Sequence, residues 1–213
     1  MFSIKPKTLL LALTSFTAAF GQSAAPLPLP IDKMSLAATM RYIQDRLNAQ
    51  GKVSFQAVGT FTPAPPNKPV RMLNQTSFTV SDAVTEVAGC TLSLHLVDES
   101  KDESGASSKD ESSVRLALPD VEALEIQSVI DGYKTGVERN TTWDVFPPTF
   151  ILHILLISGK SYHDRSRMTD ERGVVRETEG EMRGGFWLYF GEEEGARMMA
   201  EAIEHAGELC GKK

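Results

Sequence analysis

Leu36, Met40, Ile43 and Leu47 recur at spacings of four, three and four, which places one apolar stripe along a helix. Ser35 precedes the stripe as an N-cap, and Gly51 follows it as a stop. Arg41, Asp45 and Arg46 fall on the other side, so the stripe is expected to pack on the domain's own sheet. From Lys52 the period shortens to two: Val53, Phe55, Ala57 and Gly59 alternate with polar residues as far as Phe61. Pro63, Pro65, Pro66 and Pro69 break the chain. Extended stretches are predicted over 70–80 and 84–97, the second clearest where Cys90, Leu92, Leu94 and Leu96 share one parity. Such alternation describes antiparallel strands with one dry and one wet face.

The pattern lapses over 98–113, where Lys-Asp-Glu-Ser occurs twice, at 101–104 and 109–112. A stretch this polar is expected to be a disordered loop, and it lacks the glycine and ligand spacing of a calcium loop. Alternation resumes at Val114, Leu116 and Leu118 and continues over 124–130, with Asp131-Gly132 as a turn signal. The run 150–157 is apolar on both faces, which predicts a central, covered strand. Phe186-Trp187-Leu188-Tyr189-Phe190 is the last strong strand. Glu192, Glu193 and Glu194 then open a helix carrying Ala196, Met199, Ala200, Ile203, Ala206 and Cys210 on one side. Acids in the first turn complement the helix dipole. Strands at hairpin spacing, without strand–helix alternation, exclude a parallel doubly wound sheet.

The first residues set the compartment. Lys5 and Lys7 precede an apolar run over 9–20, and Ala19-Phe20-Gly21 offers small residues where an export peptidase reads. Residues 1–21 therefore read as a signal peptide, 22–34 as an extended Pro-rich leader, and 35–213 as a single globular domain of an exported, periplasmic or secreted protein. The full chain has 22 basic and 28 acidic residues; without Lys5 and Lys7 the balance is 20 against 28, a net charge of −8. That balance argues against nucleic-acid or anionic-membrane binding, and no later apolar run reaches membrane length. In an oxidising compartment Cys90 and Cys210 are candidates for one disulfide, both inward by strand parity and helical stripe.

Searches for catalytic chemistry return little. Gly159-Lys160-Ser161 follows an apolar strand, but a phosphate loop needs a glycine at position 154, which is Ile. His95, His153, His163 and His205 show no zinc spacing, and no Gly-x-Ser-x-Gly elbow occurs. Glu177, Glu179 and Glu181 alternate as a wet strand face would. The densest basic region, Lys160, Arg165, Arg167, Arg172 and Arg176, gives an anion-contact set of Lys160, Tyr162, His163, Arg165 and Arg167. Trp143 is expected at the edge of the core. No catalytic residue, metal ligand or cofactor is assigned.

The strand 186–190 running through Gly191 and acids into the helix 195–209 resembles the closing strand and capping helix of pleckstrin-homology-like (PH-like) domains. Leu116-Ala117-Leu118-Pro119-Asp120-Val121 through Ile126 resembles the strand–turn–strand midway in such barrels. The likeness spans Val53 to Cys210. It implies an α+β fold: an antiparallel PH-like β-barrel or strongly curved sheet of about seven strands, capped by a C-terminal helix, with a short N-terminal helix. Phosphoinositide-binding members carry a basic first hairpin loop, whereas here that loop holds only Lys68, with Arg71 after it. The chain is also similar to exported bacterial proteins without an assigned activity. The expectation is a non-catalytic binding or protein–protein interaction domain whose partner is a protein or small ligand. The alternatives are an exported hydrolase, with His153 or His163 in a cleft, and an envelope-assembly or chaperone-like protein using an open sheet edge.

Overall fold

The computed structural model describes residues 30–62, 68–136 and 141–211; the expected signal peptide, most of the expected leader and Pro63, Pro65 and Pro66 lie outside them. Ser35 caps α1 (Leu36–Ala49) by accepting from the Ala38 amide, and Gly51 leaves the helix at φ +69°. Ten strands follow: β1 (Lys52–Phe61), β2 (Val70–Glu86), β3 (Thr91–Asp102), β4 (Ser107–Ala117), β5 (Val121–Ser128), β6 (Thr141–Phe146), β7 (Phe150–Leu156), β8 (Ser161–Thr169), β9 (Val175–Arg183) and β10 (Gly185–Phe190). A short α2 (Val129–Gly136) precedes β6, and α3 (Glu193–Leu209) ends the fold.

The fold is α+β, with a short N-terminal and a longer C-terminal helix around antiparallel strands. The pairings make an open seven-stranded sheet, β6-β1-β2-β3-β4-β8-β9, and a separate three-stranded sheet, β10-β7-β5. The expected single wall of about seven strands is thus two sheets, and no pairing among the described residues closes either. The strand 150–156 is central in the small sheet, as its two apolar faces require.

One core joins all layers. Met40, Ile43 and Leu47 of α1, Leu92, Leu94 and Leu96 of β3, Leu152 and Ile154 of β7, and Met199 and Ile203 of α3 belong to a single buried cluster. The helix α1 lies on β2, and α3 packs on β5, β7 and β10 beside α1. The anchoring of α1 is also polar. A bulge at Ser81 shifts the β2 register, so that Val80 and Ala83 both turn inward. Beyond the bulge β2 outruns β1, and Asn48 and Gln44 supply the missing partners. Asn48 Nδ2 donates to the Ala83 carbonyl at 2.9 Å, the Ala83 amide donates to Asn48 Oδ1 at 2.8 Å, and the Thr85 amide donates to Gln44 Oε1 at 3.0 Å.

Five expectations need correction. The alternation over 124–130 stops at Ser128, and Asp131-Gly132 is not a turn but part of α2. The stretch 98–113 is not a disordered loop: it is the end of β3, a four-residue turn and most of β4, paired from Thr91↔Ala117 to Lys101↔Ser107. Residues 84–86 belong to β2, with a turn at 87–90 before β3. Cys90 closes that turn at φ +49° rather than lying in a strand, yet it is bonded to Cys210, which caps α3. The end of the leader is not extended throughout: Ile31–Lys33 forms a 3-10 turn, and the Met34 carbonyl lies 3.0 Å from His205 Nε2. Trp143 stands at the core edge on β6, stacked on Tyr133 at 4.4 Å. It covers Gly59 so closely that a Cβ there would lie 2.8 Å from the indole.

Candidate functional site

The large sheet has two faces. Its apolar face carries Val53 and Phe55, Phe78 and Val80, Leu92 to Leu96, Val114 and Leu116, and Tyr162. At its other end the same face turns polar. Asp98 and Ser100 follow Leu96, and Asp110 and Ser112 precede Val114. Asp98 stands directly across from Asp110, and Asp164 follows Tyr162 on β8. The side chains change there while the hydrogen-bonded ladder does not. Carboxylates crowd there. Burial, then Asp110 and Glu99, pushes Asp98 up from 3.8 to about 6, and burial with Asp110 also raises Asp164. Asp110 and Asp164 each keep one enclosed oxygen without a hydrogen-bond partner. Among the described residues no group of acids, His and Cys has the geometry to hold a metal ion. Burial, then Asp98 and Tyr133, drives the Tyr189 phenol up to about 12, which keeps it neutral.

The opposite, polar face holds a large open groove of about 1010 Å³. Its floor comes from alternate residues of neighbouring strands: Ser54 and Gln56 on β1, Gln75 and Ser77 on β2, Glu99 and Lys101 on β3, Ser107 and Lys109 on β4. The register sets Ser54 against Ser77 and Gln56 against Gln75. Phe146, at the end of β6 opposite Gln56, projects at the rim with 76% of its surface exposed. Three of the groove's charges are matched: Lys52 reaches Glu99 at 3.2 Å, holding that carboxyl below its usual range, and Lys109 pairs with Glu111, while Lys101 and Glu171 also line the groove. Ser77 Oγ adds a hydrogen bond to Glu99 at 3.3 Å. The amides of Gln56 and Gln75 and the hydroxyls of Ser54 and Ser107 face the groove without such partners.

The sequence-derived contact set does not converge. Tyr162 points to the apolar face, 5.3 Å from the Phe186 ring. His163, Arg165 and Arg167 point to the polar face, where each meets an acid of β9. His163 lies 3.4 and 3.5 Å from Glu179 and Glu181, Arg165 3.8 Å from Glu179, and Arg167 3.8 Å from Glu177. Lys160 sits in the preceding turn, bound to Asp120 at 2.8 Å. Only Thr169, two residues beyond Arg167, reaches the groove from β8. Sequence reasoning missed Phe146, Gln56 and Gln75. A usable signal was present, since Ser54, Gln56, Gln75 and Ser77 share the wet parity of two strands. The His153 ring lies tilted against Trp187, centroids 5.5 Å apart. His95 Nδ1 and Ser113 Oγ lie 3.1 Å apart. Comparison with protein-family models, curated proteins and solved structures finds no match to this chain.

Proposed function

We propose that the protein is an exported, non-catalytic binding module whose polar groove holds a neutral, hydroxyl-rich chain such as an oligosaccharide. The observation that carries this reading is the groove itself: Lys52 paired with Glu99 and Lys109 with Glu111, unpartnered amides and hydroxyls in cross-strand rows, and an exposed ring at the rim. Amides and hydroxyls donate and accept without demanding a charged ligand. An aromatic face offers apolar area to the C–H side of a sugar ring. Export accords with the Cys90–Cys210 bond, which persists in an oxidising compartment. A fold-level PH-like likeness is part of the same proposal, supported by the direct passage from β10 into the buried helix α3; the two open sheets are its departure from a closed barrel.

The test is titration of isotope-labelled protein with neutral glucan, chitin and xylan oligomers. Shifts confined to residues lining the groove are expected for at least one of them. Phe146→Ala should weaken that binding about tenfold, a loss on the order of 1.4 kcal/mol, while leaving the melting temperature in place. Absence of binding by all three at millimolar concentration rejects the reading. A hydrolase would need a nucleophile beside His153 or His163, but the former lies against Trp187 and the latter lies 3.4 and 3.5 Å from Glu179 and Glu181. The assembly-type reading has an observation in its favour: β9 is a nine-residue edge strand, exposed along its whole length.

A further inference from the structure

The geometry points to β9 as a docking edge for an extended basic segment, which would add to the large sheet as an eighth strand. Among the described residues β9 pairs only with β8, so its other side presents a row of free backbone N–H and C=O groups. Its nine residues are all exposed. Many natural edges are shortened, bulged or interrupted by proline; β9 runs in unbroken register with β8 from Ser161↔Arg183 to Thr169↔Val175.

Charge selects the occupant. Glu177, Glu179 and Glu181 lie on one face, and β8 shows within this chain what they accept: a strand with basic residues at alternate positions, here His163, Arg165 and Arg167. Each glutamate remains more than half exposed and keeps lone pairs for a second donor. A second copy of the chain is a poor occupant. Antiparallel pairing of β9 with itself about Glu179 sets that residue against its copy and Glu177 against Glu181, and a shift of two residues either way still opposes glutamates. The acidic row therefore disfavours self-pairing while favouring a strand with Arg or Lys at i, i+2 and i+4. Main-chain hydrogen bonds would supply affinity and the alternate charges the register. The surface is distinct from the groove, so neither reading depends on the other.

The probe is a capped nonapeptide with Arg at positions 3, 5 and 7 and Thr elsewhere. Its controls are the same composition with the three Arg adjacent, and the alternating peptide with proline at position 4. Chemical-shift mapping and amide hydrogen exchange are read on the full protein. The alternating peptide should protect β9 amides that exchange freely in its absence. The triple substitution Glu177→Gln, Glu179→Gln and Glu181→Gln should weaken it about tenfold, from three cross-strand pairs of a few tenths of a kcal/mol each. Phe146→Ala should leave it unchanged. Should the triple variant misfold, Glu179→Gln alone with the proline peptide carries the same comparison. Equal binding by the clustered or proline peptide, or protection anywhere but β9, overturns the proposal. So does no binding at millimolar concentration and low salt.

Discussion

Asp98 shows how one position changes character where the apolar run of a sheet face gives way to carboxylates. It follows Leu96 on the same face of β3, but it meets Asp110 rather than a leucine, and its carboxyl is pushed to about 6. Because the folded value exceeds the ordinary 3.8, the fold binds this proton more tightly than the unfolded chain does. The destabilisation is therefore fully present above about pH 6, fades as pH falls through that value, and is gone below the ordinary one. Asp98→Asn should stabilise the protein at pH 7.5 by about 1 kcal/mol, after allowance for solvent screening of a partly exposed group. It should also remove part of the stability gained on acidification from pH 7 to 4. Urea melts of both proteins across that range check the sign. A variant no more stable at pH 7.5, with an unchanged slope, contradicts the account. Glu99, held low by Lys52, contributes with the opposite sign, so the difference between the two proteins is the quantity to read.

At the scale of elements, what could be read in the sequence depended on whether an element buries something. The helices α1 and α3 and the strands 52–61, 150–156 and 185–190 announce themselves through Met40, Ile203, Phe55, Leu152 and Phe186, all of which enter the core, whereas α2 reads in sequence as the end of a strand and a turn. The hairpin of β3 and β4 beyond Leu96 does not, because its ladder is main-chain while its side chains are Ser, Asp, Glu and Lys. Composition alone reads such a hairpin as solvated coil. For the same reason His163, Arg165 and Arg167 could be identified as a basic row, but their acidic partners across β9 could not. Parity predicts the face a residue takes; only register supplies its neighbour. The groove was illegible because it is assembled from several strands and no single stretch contains it. The bond between α1 and the free end of β2 belongs to this scale as well. Asn48→Ala would leave both the amide and the carbonyl of Ala83 without their partner. It should cost about 1–3 kcal/mol in chemical denaturation, with Asn48→Asp recovering the accepting half. A change below a few tenths of a kcal/mol would show that water replaces the side chain at no cost.

For the molecule as a whole, the decisive arrangement is that α3 seals a core built by both sheets. Met199 and Ile203 are essentially inaccessible, and the helix meets β5, β7 and β10 together. The Cys90–Cys210 bond fixes the end of that helix to the turn between β2 and β3, 120 residues earlier in the chain. Closing so long a loop stabilises by roughly 4–5 kcal/mol in the chain-entropy model. Reduction, or the pair Cys90→Ser and Cys210→Ser, should lower stability by about that amount in guanidinium titration, less whatever strain the bridge carries. A loss under about 1 kcal/mol would mean that α3 is held by packing alone.

That same bridge spans the β3–β4 and β8–β9 hairpins, including the polar tip of one and the exposed edge of the other. A protease that nicks either tip produces two fragments, but sulfur still ties them together, and the buried leucines still clasp them. The nicked protein would migrate as one species until a thiol is added. In a milieu rich in hydrolytic enzymes, the fold can suffer a cut at either of these hairpin tips without shedding a piece.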